Sequence, residues 1–253
     1  VAHRLDPRTK ILLVTLYIIA LFCAKSIVTY ALLALVLAVC VRISKVGIRS
    51  LVRGLKPVLF IIIFTGILNL FFTPGEHILA ELGFLRISAE GLQNAVFMVL
   101  RITMLIAGTF LLTYTTSPIA LTDAMEILFG PLKKLKVPVH EMSMMMSMAL
   151  RFIPTLIEET DKIMSAQKAR GADFESGNII QRVKNMVPLL VPLFISAFRR
   201  ANDLALAMEA RCYHGGEGRT QMKPLRYQTR DYAAYGVLMA YLVCSIGLRV
   251  CGL

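Results

Sequence analysis

Five apolar stretches of this chain read together as membrane-spanning helices. No charge interrupts Ile11 to Ala24, Ile27 to Val41 or Pro57 to Phe72, and only Arg101 interrupts Ala95 to Thr115; a last run extends from Tyr232 to about Val250. A helix needs about 20 apolar residues to cross a bilayer. The first two runs are slightly short, and thinning of the bilayer or use of polar flanks would accommodate them. Composition agrees with an integral membrane protein: 57% of the residues are hydrophobic, 17% are charged and the mean hydropathy is +0.67. Soluble domains run nearer half apolar and a quarter charged.

The expected fold class is therefore an all-α integral membrane protein with about five transmembrane helices plus a domain of long helices outside the bilayer. Residues 1–115 form the first membrane part, with spans at about 9–24, 27–43, 57–73 and 95–115, and residues 231–253 form the last span. The first run lacks a small-residue cleavage site and is followed at once by a second, so no cleavable signal peptide is expected. The net charge of +12 fits cationic cytoplasmic loops better than nucleic-acid binding. Arg42, Lys45, Arg49, Arg53 and Lys56 make the densest positive loop, which the positive-inside rule places in the cytoplasm. The segment from Thr73 to Asn94 carries Glu76, Glu81 and Glu90 against Arg86 and suits the outside. Arg101 lies at membrane depth, where a charge is a functional candidate, but it sits near the outer end of its span and is expected to reach the interface.

Residues 116–230 hold 16 Lys plus Arg and 11 Asp plus Glu, more than half of all the charges. Three helices are expected there, at about 117–135, 139–170 and 179–213. Apolar positions such as Ile153, Leu156 and Ile163 recur at helical spacing, and Glu158 and Lys162 form an i,i+4 pair. The two longer helices would each reach roughly 45 Å at 1.5 Å per residue. Their uncharged runs, Met142 to Leu150 and Asn185 to Phe198, are too short to count as spans, and Pro188 and Pro192 are expected to kink the second. The run Met142, Met144, Met145, Met146, Met148 is flexible and polarizable, suited either to ordinary packing or to a surface that repacks against a partner.

No chemistry-bearing motif emerges. Tyr213 occupies the place of the first glycine of a phosphate loop ahead of Gly218-Arg219-Thr220, and there is no HExxH or GxSxG. His3, His77, His140 and His214 are scattered, and Cys23, Cys40, Cys212, Cys244 and Cys251 form no CxxC pair. Glu158-Glu159 is similar to the paired glutamates of intramembrane prenyl-protein proteases, but the arginine and membrane histidine of those motifs are absent, and a solvated helix face explains the pair. No catalytic residue, metal site or cofactor is expected.

Instead, two short segments echo each other. Ala169-Arg170-Gly171 and Ala210-Arg211-Cys212 each put an arginine between small residues at the end of a long helical pattern. Gly171 stands where a C-terminal helix glycine belongs. A guanidinium there can cap its own helix or present its donor fork to a partner, and the small neighbours would admit a partner's backbone.

Together with Leu5-Asp6-Pro7-Arg8-Thr9-Lys10 and Ala149-Leu150-Arg151-Phe152-Ile153-Pro154, these segments give the chain its resemblance, over essentially its whole length, to the transmembrane T component of energy-coupling factor (ECF) transporters, the vitamin-uptake branch of ATP-binding-cassette systems. Cys212 departs from that family's usual glycine. The resemblance implies a prokaryotic plasma-membrane scaffold whose amino terminus and coupling domain are cytoplasmic. It implies that Ala169, Arg170, Gly171, Ala210, Arg211 and Cys212 seat in two ATPase subunits. It implies further that Met142, Met145, Met146, Met148, Leu190 and Phe194 help hold a small substrate-binding membrane subunit. The alternatives are an intramembrane hydrolase or a stand-alone secondary transporter.

Overall fold

The computed structural model describes residues 5–24, 26–73, 78–82, 85–174, 176, 178–216 and 225–250. His3, Glu76, His77, Cys251 and the Gly218–Thr220 segment lie outside the described residues. Ten α-helices are described: α1 (Pro7–Cys23), α2 (Ile27–Ser44), α3 (Ile48–Leu55), α4 (Leu59–Phe72), α5 (Ala89–Thr115), α6 (Pro118–Leu128), α7 (Val139–Ala169), α8 (Ile179–Asn185), α9 (Val187–Ala210) and α10 (Thr229–Val250). The fold is that of a helical membrane protein. Three helical stretches among the described residues are long and apolar enough to cross a bilayer: Ile27–Ser44, Ile48–Phe72 and Ala89–Thr115. The chain divides into two compact units, Val1–Ala124 with Pro224–Leu253, and Met125–Lys223.

Several elements differ from the sequence expectation. The cationic loop before the third span contains α3, whose Leu51 is buried while Arg49 and Arg53 face outward. A single 3-10 turn at Lys56–Val58 carries it into α4. Gly54 lies so close to α5 that an added Cβ would stand 2.8 Å from the Phe110 ring. The helix that holds the expected span at 95–115 begins earlier, at Ala89, because Ser88 caps it by accepting from the Gly91 N–H at 3.0 Å. Between α4 and α5 an unanticipated antiparallel hairpin pairs β1 (Ile78–Leu82) with β2 (Leu85–Ser88). Two apolar runs with Gly83 opening the two-residue link are a hairpin signal masked by their short length.

The first unit is organised around Tyr17, Ala20, Leu21, Tyr30, Leu33, Met104 and Tyr241, contributed by α1, α2, α5 and α10. Lipid is as apolar as these side chains, so close packing rather than water expulsion holds them. Gly108 permits that approach: a Cβ there would stand 2.9 Å from the Tyr17 ring. Arg101 is tied at the far end of α1. It donates from Nε to the Tyr30 hydroxyl at 2.9 Å and from Nη2 to the Ala24 carbonyl at 3.5 Å. Its charge thus meets the negative end of the α1 dipole.

A polar cluster joins the opposite helix ends and explains the Leu5–Lys10 motif. Asp6 caps α1 through the Arg8 N–H at 2.9 Å and accepts two bonds from the Arg8 guanidinium, at 3.1 and 2.8 Å. That guanidinium lies 4.2 Å from the centre of the Tyr227 ring. Burial raises the Asp6 carboxyl, but the Arg8 hydrogen bonds and charge outweigh it and hold it below the usual carboxylate range. Its stabilising contribution is complete near neutrality and is lost as pH falls through that depressed value. Asp231, 1% exposed, accepts from the Asp6 N–H at 3.0 Å and the Gln228 N–H at 2.8 Å. Lys10 donates to the Thr115 carbonyl at 2.8 Å. The starts of α1 and α10 and the end of α5 therefore share one face, and Tyr114 reaches the Ser50 carbonyl of α3 there at 3.4 Å. Asp231→Ala strands the buried Asp6 N–H and frees the partly buried Gln228 N–H. It is predicted to destabilise the detergent-solubilised protein by about 2 kcal/mol, read as a lowered thermal midpoint; an unchanged midpoint would show that water replaces the carboxylate.

In the second unit α7 spans 31 residues with Pro154 inside it. The expected helix over 179–213 is two helices. Pro188 lacks the N–H that would continue α8 and instead sits in the first turn of α9, where proline is tolerated. Pro192 lies within α9.

Candidate docking site

Helices α7 and α9 pack together, and their contacts step down one helix as they step up the other. Gln167 Nε2 donates to the Pro188 carbonyl at 3.4 Å. Ser196 and Arg200 both donate to Glu159, the latter at 2.5 Å. Met144 and Met148 of α7 share a cavity with Met208, Arg211 and Cys212 at the end of α9. The pair is therefore antiparallel. Glu159 was expected on a solvated face; it is instead the polar tie between the two helices, while Glu158 stays exposed. The Ser196 hydrogen bond holds the Glu159 carboxyl below its usual range, against an opposing effect of burial and with help from Arg200.

Both helices end in the same backbone device. At α7 the Ala172 N–H donates to the Gln167 carbonyl and the Gly171 N–H to the Lys168 carbonyl, each at 3.0 Å. At α9 the Tyr213 N–H donates to Met208 at 3.1 Å and the Cys212 N–H to Glu209 at 2.9 Å. These are paired 6→1 and 5→2 bonds, the Schellman end. Arg170 and Arg211 occupy the same cap position, followed by a left-handed residue: Gly171 at φ +88° and Cys212 at φ +55°. Nothing lies within 4 Å of a Cβ added to Gly171. The small residue is therefore explained first by backbone conformation.

Cysteine accepts that conformation less readily than glycine. Cys212 is exposed, so Cys212→Gly loses little packing and is predicted to stabilise the turn by about 1 kcal/mol. Gly171→Ala should cost a similar amount. Hydrogen exchange at the Tyr213 and Ala172 amides checks the pair; equal exchange in variants and parent would contradict the strain at these turns.

Both arginines are exposed, and neither guanidinium has a partner among the described residues. Because α7 and α9 are antiparallel, the two turns lie at opposite ends of the pair, separated along it by on the order of 35 Å. Ala169 and Ala210 are exposed beside them. Arg211 also borders the methionine-lined cavity, of about 480 Å³, with Tyr213 and His214. A second tie fixes this end: His140 Nδ1 lies 2.7 Å from Glu126 Oε1, and Gly216 packs so tightly on the His140 ring that a Cβ would overlap it.

The expected apolar surface separates into two parts. Met142, Met145, Met146, Leu190 and Phe194 are exposed, Phe194 by 62%. Met148 is half-buried and lines the cavity with Met144 instead. The exposed stripe on α9 also includes Val191, Ile195 and Phe198, and that on α7 continues through Ile153 and Ile157. Lipid-facing and partner-facing residues have the same composition, so the sequence pattern by itself does not distinguish them. Glu159, Ser196 and Arg200 were not anticipated as a group; a carboxylate and a guanidinium 41 positions apart give no local pattern.

The class that emerges is a helical membrane component bearing a unit of long paired helices with two exposed arginine turns. The family model that matches residues 1–222 describes CbiQ, a cobalt transport protein. The chain belongs to this CbiQ/EcfT family of transporter transmembrane proteins. Among its relatives, the energy-coupling factor transporter transmembrane protein EcfT of Thermosediminibacter oceani is 56% identical over 93% of this chain and 88% of its own length. The proteins of that name from Clostridium kluyveri and Bacillus subtilis are 53% and 52% identical, each over 98% of this chain and 92% and 93% of their own lengths.

Proposed function

We propose that this chain is the scaffold and coupling subunit of an ECF-type importer of vitamins or other micronutrients. Arg170 and Arg211 dock two ATP-binding-cassette ATPases, and the exposed faces of α7 and α9 hold a small substrate-binding membrane subunit. ATP-driven movement of the ATPases is passed along the two helices to that subunit. The chain itself carries no catalytic step.

The observation that carries this reading is the repeated turn. Two helices of one antiparallel pair end in the same arginine-bearing cap at opposite ends, so each can meet a separate copy of a similar partner. A planar fork of five donors suits carbonyls and carboxylates of a receiving groove.

Five spans in the prokaryotic plasma membrane accompany this reading. The α1 and α10 starts, the α5 end and cationic α3 share a face, which supports placing that face, the amino terminus and residues 116–230 in the cytoplasm. Co-purification from native membranes tests the assembly: two ATPase copies and a small hydrophobic protein are expected. A chain that purifies alone and transports without ATP would favour a secondary transporter.

A further inference from the structure

We propose that the groove between α1, α2, α5 and α10 binds an anionic phospholipid, with one acyl chain in the groove and the phosphate on Lys10 and Arg230. The groove is a half-open cavity of about 410 Å³. Its walls are apolar, among them Leu13, Val36, Leu112 and Val237, while Lys10 and Arg230 bring two cations to it. No carboxylate lines it among the described residues.

Neither cation is hydrogen-bonded or ion-paired to a carboxylate among the described residues, and Asp231 reaches Lys10 only through its charge. Lys10 is 7% exposed, and its ammonium donates only to the Thr115 carbonyl. Two of its three donors are without an acceptor among the described residues. The Arg230 guanidinium has no hydrogen-bond or ion-pair partner there either. The nearest acidic side chain in sequence, Asp231, is already committed to the Asp6 and Gln228 amides. Of the two, Lys10 is the buried one; leaving its donors unsatisfied is costly, and an anion seated here satisfies them with the exposed Arg230 beside it.

The apolar walls select among anions. A soluble anion would compensate the cations and leave the groove empty, and a neutral lipid would fill the groove without compensating the cations. An anionic phospholipid does both, as basic pockets between transmembrane helices do on cytoplasmic faces. The orientation comes from the topology proposed above. The binding itself involves no ATPase, so arginine-turn variants that uncouple transport leave it intact.

The test uses the full chain with its co-purifying partners in vesicles containing spin-labelled phosphatidylglycerol or phosphatidylcholine. A motionally restricted component should appear with several-fold preference for phosphatidylglycerol. Arg230 is exposed and unpartnered, so Arg230→Gln should leave the fold intact and lower that preference about fivefold. Val237→Trp, which fills the groove, should remove the restricted component for both lipids. Equal retention of both headgroups, a preference that survives Arg230→Gln, or retention unaffected by Val237→Trp would each overturn the proposal.

Discussion

Replacing both Arg170 and Arg211 with glutamate is expected to abolish ATPase association and vitamin uptake while leaving the chain folded in the membrane. The turns themselves are made by backbone bonds, from Ala172 to Gln167 and from Tyr213 to Met208, and do not use the guanidinium. Placing an anion at a helix C-terminus costs about 0.3–1 kcal/mol through the dipole, too little to unfold helices of this length. Docking is far more sensitive. Truncating one member of a buried, hydrogen-bonded charge pair costs about 2–5 kcal/mol, and reversal adds repulsion. Each single variant should weaken association by at least about thirtyfold, and the double variant should retain no ATPase on an affinity column. Arg→Lys keeps the charge but loses the fork, so intermediate retention is expected. Full retention and uptake in the double glutamate variant would remove the docking role.

The second large effect should fall on the other partner alone. Met145 and Leu190 are exposed by 59% and 45% on the unpartnered faces of α7 and α9. If an apolar subunit covers them, Met145→Asp with Leu190→Asp buries two carboxylates without partners, at a cost of several kcal/mol. Retention of the substrate-binding subunit should fall more than a hundredfold, with ATPase retention unchanged because the turns are untouched. Met148→Asp is expected to act differently, since Met148 is half-buried and lines the cavity beside Arg211; it should lower the stability of the second unit first. Normal retention of the small subunit by the double aspartate variant would assign these faces to lipid.

How much of this was legible beforehand depended on whether the signal was local. Apolar runs mark helices wherever length alone decides, and Gly171 marks a helix end because a left-handed cap residue is most often glycine. Cys212 performs the same task without that signature, so the sequence pattern carries α9 on to Tyr213 while the helix stops at Ala210. Pro188 is read locally as a kink, but its effect depends on the break at Met186 that makes it a first-turn residue. The Leu5–Lys10 motif was visible as a resemblance. Its physical use required Asp231 and Thr115, which lie far along the chain. Glu159 was misjudged for the same reason, because its partners Ser196 and Arg200 belong to another helix.

Crosslinking at both arginine turns of one chain tests the central proposal most directly. A photoreactive residue at position 170, at position 211, or at both should yield ATPase adducts in native membranes, and the doubly substituted chain should carry two ATPase copies at once. Adducts absent from either turn, or two turns that capture a single ATPase copy between them, would contradict docking of two motors at opposite ends of the α7–α9 pair.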